Sequence, residues 1–166
     1  MSLPERAEAR VQKVVDKLRA RGQRLTPQRL AVLRALICSA SHPSAEHVYR
    51  ELAPVYPMMS PATVYKTIDL LKDLGEILEL EFRDGGNRYD ANIPVPHPHL
   101  VCTECGDIRD VAIGDVDALA RKVATLTGFR AVRSRLDFYG RCPRCEGRIS
   151  DAGSQASRST RARRAI

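Results

Sequence analysis

Apolar positions in the first 92 residues recur at intervals of three and four, the pattern of helices that bury one face. Val11, Val14, Val15 and Leu18 form the first such stripe, and Gly22 is placed to end it. Thr26 followed by Pro27 reads as an N-cap with proline at the first helical position. The helix it opens carries Leu30, Leu33, Leu36 and Ile37. Ser44 caps a short third helix with Val48, Tyr49 and Leu52 on one face. Ser60-Pro61 repeats the cap-plus-proline signal and starts a fourth, with Val64, Ile68, Leu71 and Leu74 inward and Gly75 at its end. The period then drops to two. Ile77 to Phe82 alternates as a strand, residues 84–87 form a turn, and Arg88 to Asp90 begins a return strand. Several short helices followed by a two-stranded hairpin are the order of a winged helix-turn-helix.

Beyond residue 91 the pattern changes. Pro94, Pro96 and Pro98 stand at alternate positions and predict an extended hinge rather than a core element. Short strands are expected around 99–102 and 107–111, a helix over 115–127, and a strand over 129–139. The helix places Val116, Leu119, Ala120 and Val123 on one face. This is a second α+β domain of about fifty residues, a size at which a structural metal commonly supplements the core. The end of the chain, from Asp151, is Ser, Arg and Ala with almost no large apolar residue, and is expected to be disordered. No internal repeat is visible.

Composition adds one hint. Lys plus Arg number 27 against 20 Asp plus Glu, giving +7 and a pI of about 9.5. Residues 1–34 hold nine basic and three acidic side chains, so the positive charge gathers near the start. That excludes an acidic solvating chain and favours an anionic partner. No apolar run approaches a membrane span, and the first residues lack the apolar stretch of a secretory signal. A cytoplasmic protein without a membrane partner is the expectation.

Two motifs carry chemistry. Cys102-x-x-Cys105 and Cys142-x-x-Cys145 each follow an expected strand and run into a glycine, Gly106 or Gly147. Two such pairs can present four thiolates to one tetrahedral Zn²⁺. Their other readings are two disulfides, which suit a reducing compartment poorly, or a redox pair, for which a thioredoxin-like βαβ context is missing. Cys38, on the apolar face of the second helix, is expected to be a buried, inert thiol. The second motif is His97-Pro-His99, just upstream of the first cysteine pair, with Asp90 ending the wing and Asp110 ending the following strand. His42 lies in the loop between the second and third helices, and His47 on an exposed helix face. Alternate histidines on an extended chain point to one side. Imidazoles with carboxylates suit Fe²⁺, Mn²⁺ or Zn²⁺; the competing reading is a polar hinge with surface histidines.

Taken together, these residues resemble the ferric uptake regulator (Fur) superfamily, metal-dependent dimeric bacterial repressors. The likeness runs from about residue 24 to 145. It rests on Arg24-Leu-Thr-Pro-Gln-Arg29, His42-Pro-Ser-Ala, Ser60-Pro-Ala-Thr-Val-Tyr65, Asn87-Arg-Tyr-Asp90, His97-x-His99, both cysteine pairs and Tyr139-Gly140. The resemblance implies a winged-helix DNA-binding domain over 1–91, a hinge over 92–98, a dimerisation and metal-binding domain over 99–148, and a basic tail over 149–166. It implies one structural Zn²⁺ per chain at Cys102, Cys105, Cys142 and Cys145. It also implies one regulatory Fe²⁺ or Mn²⁺ per chain at His42, Asp90, His97, His99 and Asp110. An aspartate at 110 is the pattern of the peroxide-responsive branch, whereas iron-uptake regulators usually carry Glu there. In that branch peroxide reacts at Fe²⁺ and oxidises a ligand imidazole, here His42 or His97. A manganese- or iron-responsive regulator of metal uptake is the alternative. Positions that build a further metal site in many relatives are Pro96, Pro98 and Ser134 here, so no third ion is expected.

The partner implied is double-stranded operator DNA, bound by a homodimer, with no small organic substrate and no catalytic residues. Thr63, Tyr65 and Lys66 lie in the first turns of the expected recognition helix, where such a helix meets the major groove. Arg24, Gln28 and Arg29, with Lys13, Lys17, Arg19 and Arg21 before them, are candidates for phosphate contact. Two other classes compete: a zinc nuclease using His97, His99 and Asp110, and an architectural DNA-binding protein. The chain has no His-Glu-x-x-His and no nucleophile–base pair, which counts against the nuclease.

Overall fold

The computed structural model describes residues 3–39, 41–81, 86–114, 116–130 and 134–147. Part of the expected turn at 84–87, residues 131–133 of the expected last strand and the whole basic tail lie outside the described residues. The chain divides into two units, Met1–Pro96 and His97–Ile166.

In the first unit α1 (Leu3–Ala20), α2 (Pro27–Ile37), α3 (Ala45–Leu52) and α4 (Pro61–Asp73) are followed by the hairpin β1 (Leu78–Leu80) and β2 (Arg88–Asp90). Each of three helix starts is capped by the hydroxyl expected from sequence. Thr26, Ser44 and Ser60 accept from the backbone N–H of Arg29, His47 and Thr63 at 3.2–3.3 Å. Gly22 and Gly75 adopt φ of +68° and +66°, which lets the chain reverse after α1 and α4. Val14, Val32, Leu33, Leu36, Ile37, Val48, Val64, Ile68 and Leu71 close a continuous apolar core. The hairpin is antiparallel, with Leu78 opposite Asp90 and Leu80 opposite Arg88. Tyr89 N–H donates to the Pro43 carbonyl at 3.1 Å, which ties the wing to the loop carrying His42.

Two expectations change here. Cys38 is exposed, not buried. The helix ends at Ile37, and Cys38, its C-cap, falls on the same face as exposed Arg34 four residues earlier. Lys17 is drawn inward: its Nζ donates to the Leu74 carbonyl at 2.8 Å and pairs with Glu76, which Arg10 also engages.

The second unit is a three-stranded sheet in the order β4-β3-β5, with α5 (Val116–Thr127) between β4 and β5 in the chain. β3 (His99–Cys102) is central, antiparallel to β4 (Ile108–Asp110) and parallel to β5 (Asp137–Gly140). The last strand is shorter than expected: its paired residues are Asp137–Gly140, preceded by the Leu136 carbonyl, which accepts from His99 N–H at 3.1 Å. Leu119, Val123, Leu126 and Phe129 are exposed, the last two at 75% and 78%. The helix forms where its periodicity places it, but its apolar side is not buried among the described residues. No helix among the described residues is long and apolar enough to cross a membrane.

Candidate metal centres and nucleic-acid face

The four cysteines converge because β3 ends at Cys102 and a tight turn follows. Gly106 N–H donates back to the Cys102 carbonyl at 3.0 Å, and Cys102 N–H to the Asp107 carbonyl at 2.8 Å. The parallel partner β5 ends at Gly140, so its outgoing chain delivers Cys142 and Cys145 to the same end of the sheet. Thr103 N–H donating to the Gly140 carbonyl at 2.9 Å closes that end. All four sulfurs lie within 4.8 Å of one another, and Cys105 Sγ is 3.8 Å from Cys142 Sγ. A tetrahedron with Zn–S bonds of about 2.3 Å places its sulfurs about 3.8 Å apart. A disulfide would require about 2.05 Å, and all four thiols are free. The donor set therefore fits Zn²⁺ and excludes the disulfide reading.

Charge balance points the same way. Backbone N–H groups of Cys105 and Cys142 pull the Cys102 thiol down to about 6. Cys142 is lowered by the Cys145 N–H, whereas Cys145 is pushed up to about 12 by Cys142 and Cys105. The first thiolates are stabilised, and a further one is opposed by the charge already present. A divalent cation removes that opposition.

The histidines and aspartates form one cluster in each unit. In the first, Asp90 Oδ1 accepts from the N–H groups of Asn92 at 2.7 Å and Ile93 at 3.2 Å, and its Oδ2 faces His42 Nε2 at 3.7 Å. Burial alone would raise the Asp90 carboxyl, but His42 and the two N–H groups outweigh it and hold it below the ordinary range. Both side chains are buried. In the second unit, Asp110 Oδ1 lies 3.2 Å from His97 Nε2 and 3.9 Å from His99 Nε2. The two rings are 4.3 Å apart between centroids. Two imidazole nitrogens turned to one carboxylate oxygen are a donor set for a divalent ion of intermediate hardness. Sequence reasoning missed Asp137, whose Oδ1 stands 3.5 Å from His99 Nδ1.

The expected DNA-contacting residues all lie on the first unit. Arg24, Tyr65 and Lys66 are exposed, whereas Gln28, Arg29 and Thr63 are half-buried at helix starts. Arg29 spends one guanidinium nitrogen on the Arg24 carbonyl at 2.7 Å. Thr63 Oγ1 sits 3.1 Å from the capping Ser60 hydroxyl. Tyr65 donates its phenol to Glu46 of α3, a partner nineteen positions away that no local pattern signals. That bond raises the Tyr65 phenol and lowers the Glu46 carboxyl.

A helical unit with a two-stranded wing, joined to a sheet unit bearing a four-thiolate centre and a histidine–aspartate cluster, defines a metal-binding winged-helix protein. Residues 20–139 match the ferric uptake regulator family, and the chain belongs to it. It is 36% identical over 142 residues to the peroxide-responsive repressor PerR of Staphylococcus aureus (strain USA300), covering 86% of this chain and 95% of that one. The solved structure of a zinc-bound manganese uptake regulator is 34% identical, with a TM-score of 0.58 over 86% of this chain and 99% of its own. The Helicobacter pylori ferric uptake regulator Fur shares the fold, with a TM-score of 0.70 at 21% identity over 84% of this chain and 93% of that one.

Proposed function

We propose that the protein is a dimeric, metal-dependent repressor of double-stranded operator DNA that senses peroxide through bound Fe²⁺. The four cysteines hold one structural Zn²⁺, and His42, Asp90, His97, His99 and Asp110 hold one regulatory ion. Support for a shared ion lies in the donor count: each unit alone offers an incomplete set, two donors in the first and three in the second. An ion drawing on both prefers the arrangement that brings them together. Metal affinity and DNA affinity are then linked, because fixing that arrangement fixes where α4 is presented. The exposed side chains Leu119, Val123, Leu126 and Phe129 supply the apolar surface a second copy would cover. Thr63, Tyr65 and Lys66 read the major groove, and Arg24, Gln28 and Arg29 hold phosphates. Such a regulator works in the cytoplasm, and none of its residues is assigned a catalytic role.

Ferrous iron, when bound, supplies one-electron chemistry toward hydrogen peroxide, which Mn²⁺ does slowly. The observation that carries the peroxide reading is Asp110 at the mouth of the histidine pair, together with the PerR relative. Likeness to the manganese uptake regulator supports a second reading, in which Mn²⁺ or Fe²⁺ controls metal uptake and peroxide plays no part. Intact-mass and peptide analysis after peroxide treatment separates the two. Added oxygen on His42 or His97 in the Fe²⁺ form but not the Mn²⁺ form is expected; unmodified peptides in both forms leave only the uptake reading. Gel shifts with and without Mn²⁺ separate both from other classes. Strand scission would indicate a nuclease, and metal-independent binding an architectural protein.

A further inference from the structure

His99 opens the central strand of its sheet, with an aspartate beside it on each neighbouring strand. The register sets Asp110 opposite it on β4 and Asp137 opposite it on β5. The ring is 1% exposed, and its two nitrogens meet the two carboxylates separately. Nε2 looks toward Asp110 Oδ1 at 3.9 Å, and Nδ1 toward Asp137 Oδ1 at 3.5 Å. Asp137 is itself held: its side chain is 8% exposed, and its Oδ2 accepts from Arg135 Nε at 2.6 Å.

We propose that Asp137 is the positioning residue of His99, fixing its proton on Nδ1 so that Nε2 presents its lone pair beside His97 and Asp110. This rests on the reading of His97, His99 and Asp110 as metal ligands. A neutral imidazole carries one N–H and one lone pair, and only the lone-pair nitrogen binds a metal. An anionic oxygen against Nδ1 stabilises the proton there, selects the tautomer and locks the ring plane. The two nitrogens of an imidazole point away from each other, so a carboxylate at Nδ1 is not a ligand of an ion at Nε2. Arg135 completes a relay, orienting Asp137 as Asp137 orients His99. Asp110 and Asp137 thus have different tasks although both flank one ring.

The test uses the zinc-loaded, full-length protein labelled with ¹⁵N, compared with D137A, D137N and H99A. Retained zinc stoichiometry shows that each variant keeps its four-cysteine centre. At a pH where the rings are neutral, imidazole ¹⁵N shifts should show His99 protonated on Nδ1 in the wild type. In D137A the proton should redistribute toward Nε2, and D137N, whose amide oxygen still accepts, should largely restore the wild-type pattern. Mn²⁺ affinity should fall about 10- to 100-fold in D137A, less in D137N, and further in H99A. An unchanged tautomer in D137A with Mn²⁺ affinity within twofold of wild type overturns the proposal. A Co²⁺ absorption spectrum showing a lower coordination number in D137A overturns it too, since Asp137 would then be a ligand. If wild type and H99A bind Mn²⁺ alike, the ligand reading fails, and the tautomer measurement still decides what Asp137 does to His99.

Discussion

The two units are stabilised by different means. The first packs Leu33, Leu36, Ile37, Ile68 and Leu71 out of contact with water among four helices. In the second, the buried apolar side chains among the described residues are Val101 and Ile108, joined by Cys102, Cys142 and Cys145. One unit folds on apolar burial; the other needs a metal to hold the end of its sheet and a covering surface for α5. The contrast separates function as well as stability. In the proposed reading, a self-sufficient unit presents α4 to DNA and a metal-dependent unit carries most of the sensor.

Removing zinc should have the largest effect and divide the units most sharply. A structural Zn²⁺ contributes about 10 kcal/mol or more to folding. A strong chelator, or Cys142→Ser, should abolish amide protection in β3 to β5 while the helices of the first unit persist. Unchanged protection in β3 after chelation would erase the contrast. Next comes Leu71→Ala, which should destabilise the first unit by about 3 kcal/mol in urea unfolding without altering zinc content. Glu76 offers a smaller, pH-dependent effect. Burial alone would raise its carboxyl, but Lys17 and Arg10 outweigh that and hold it below its ordinary value of 4.5. Its stabilisation is therefore complete above that value and is lost as pH falls through the lower folded value. Glu76→Gln should remove about 2 kcal/mol at neutral pH and flatten the acid limb of the first unit's stability curve. Ser60→Ala is the mildest test. Losing the α4 cap should lower stability by about 1 kcal/mol, visible as a small drop in the first unit's melting temperature.

Legibility in the sequence followed the range of the interactions. Thr26-Pro27 and Ser60-Pro61 announce their helices because a cap and the N–H that donates to it are three residues apart. The paired cysteines were readable for the same reason. Cys38 reads as buried because it follows Leu36 and Ile37, but the helical period sets it on the face of exposed Arg34, four residues earlier. Lys17 read as one basic residue among several until Glu76, 59 positions on, came beside it. Asp137 was invisible for the strongest form of that reason: only a parallel pairing of β3 with β5 sets it against His99. The histidine motif could be read locally; the carboxylate behind it could not.

The central claim is that a regulatory ion couples the second unit to DNA binding by the first. It is tested most directly by the affinity of the zinc-loaded protein for a duplex selected from a random library in the presence of Mn²⁺, measured with and without that ion. Binding tighter by about tenfold or more with Mn²⁺ is expected, and Asp90→Ala or His99→Ala should erase the gain while leaving zinc in place. Equal affinity with and without Mn²⁺ would contradict the account.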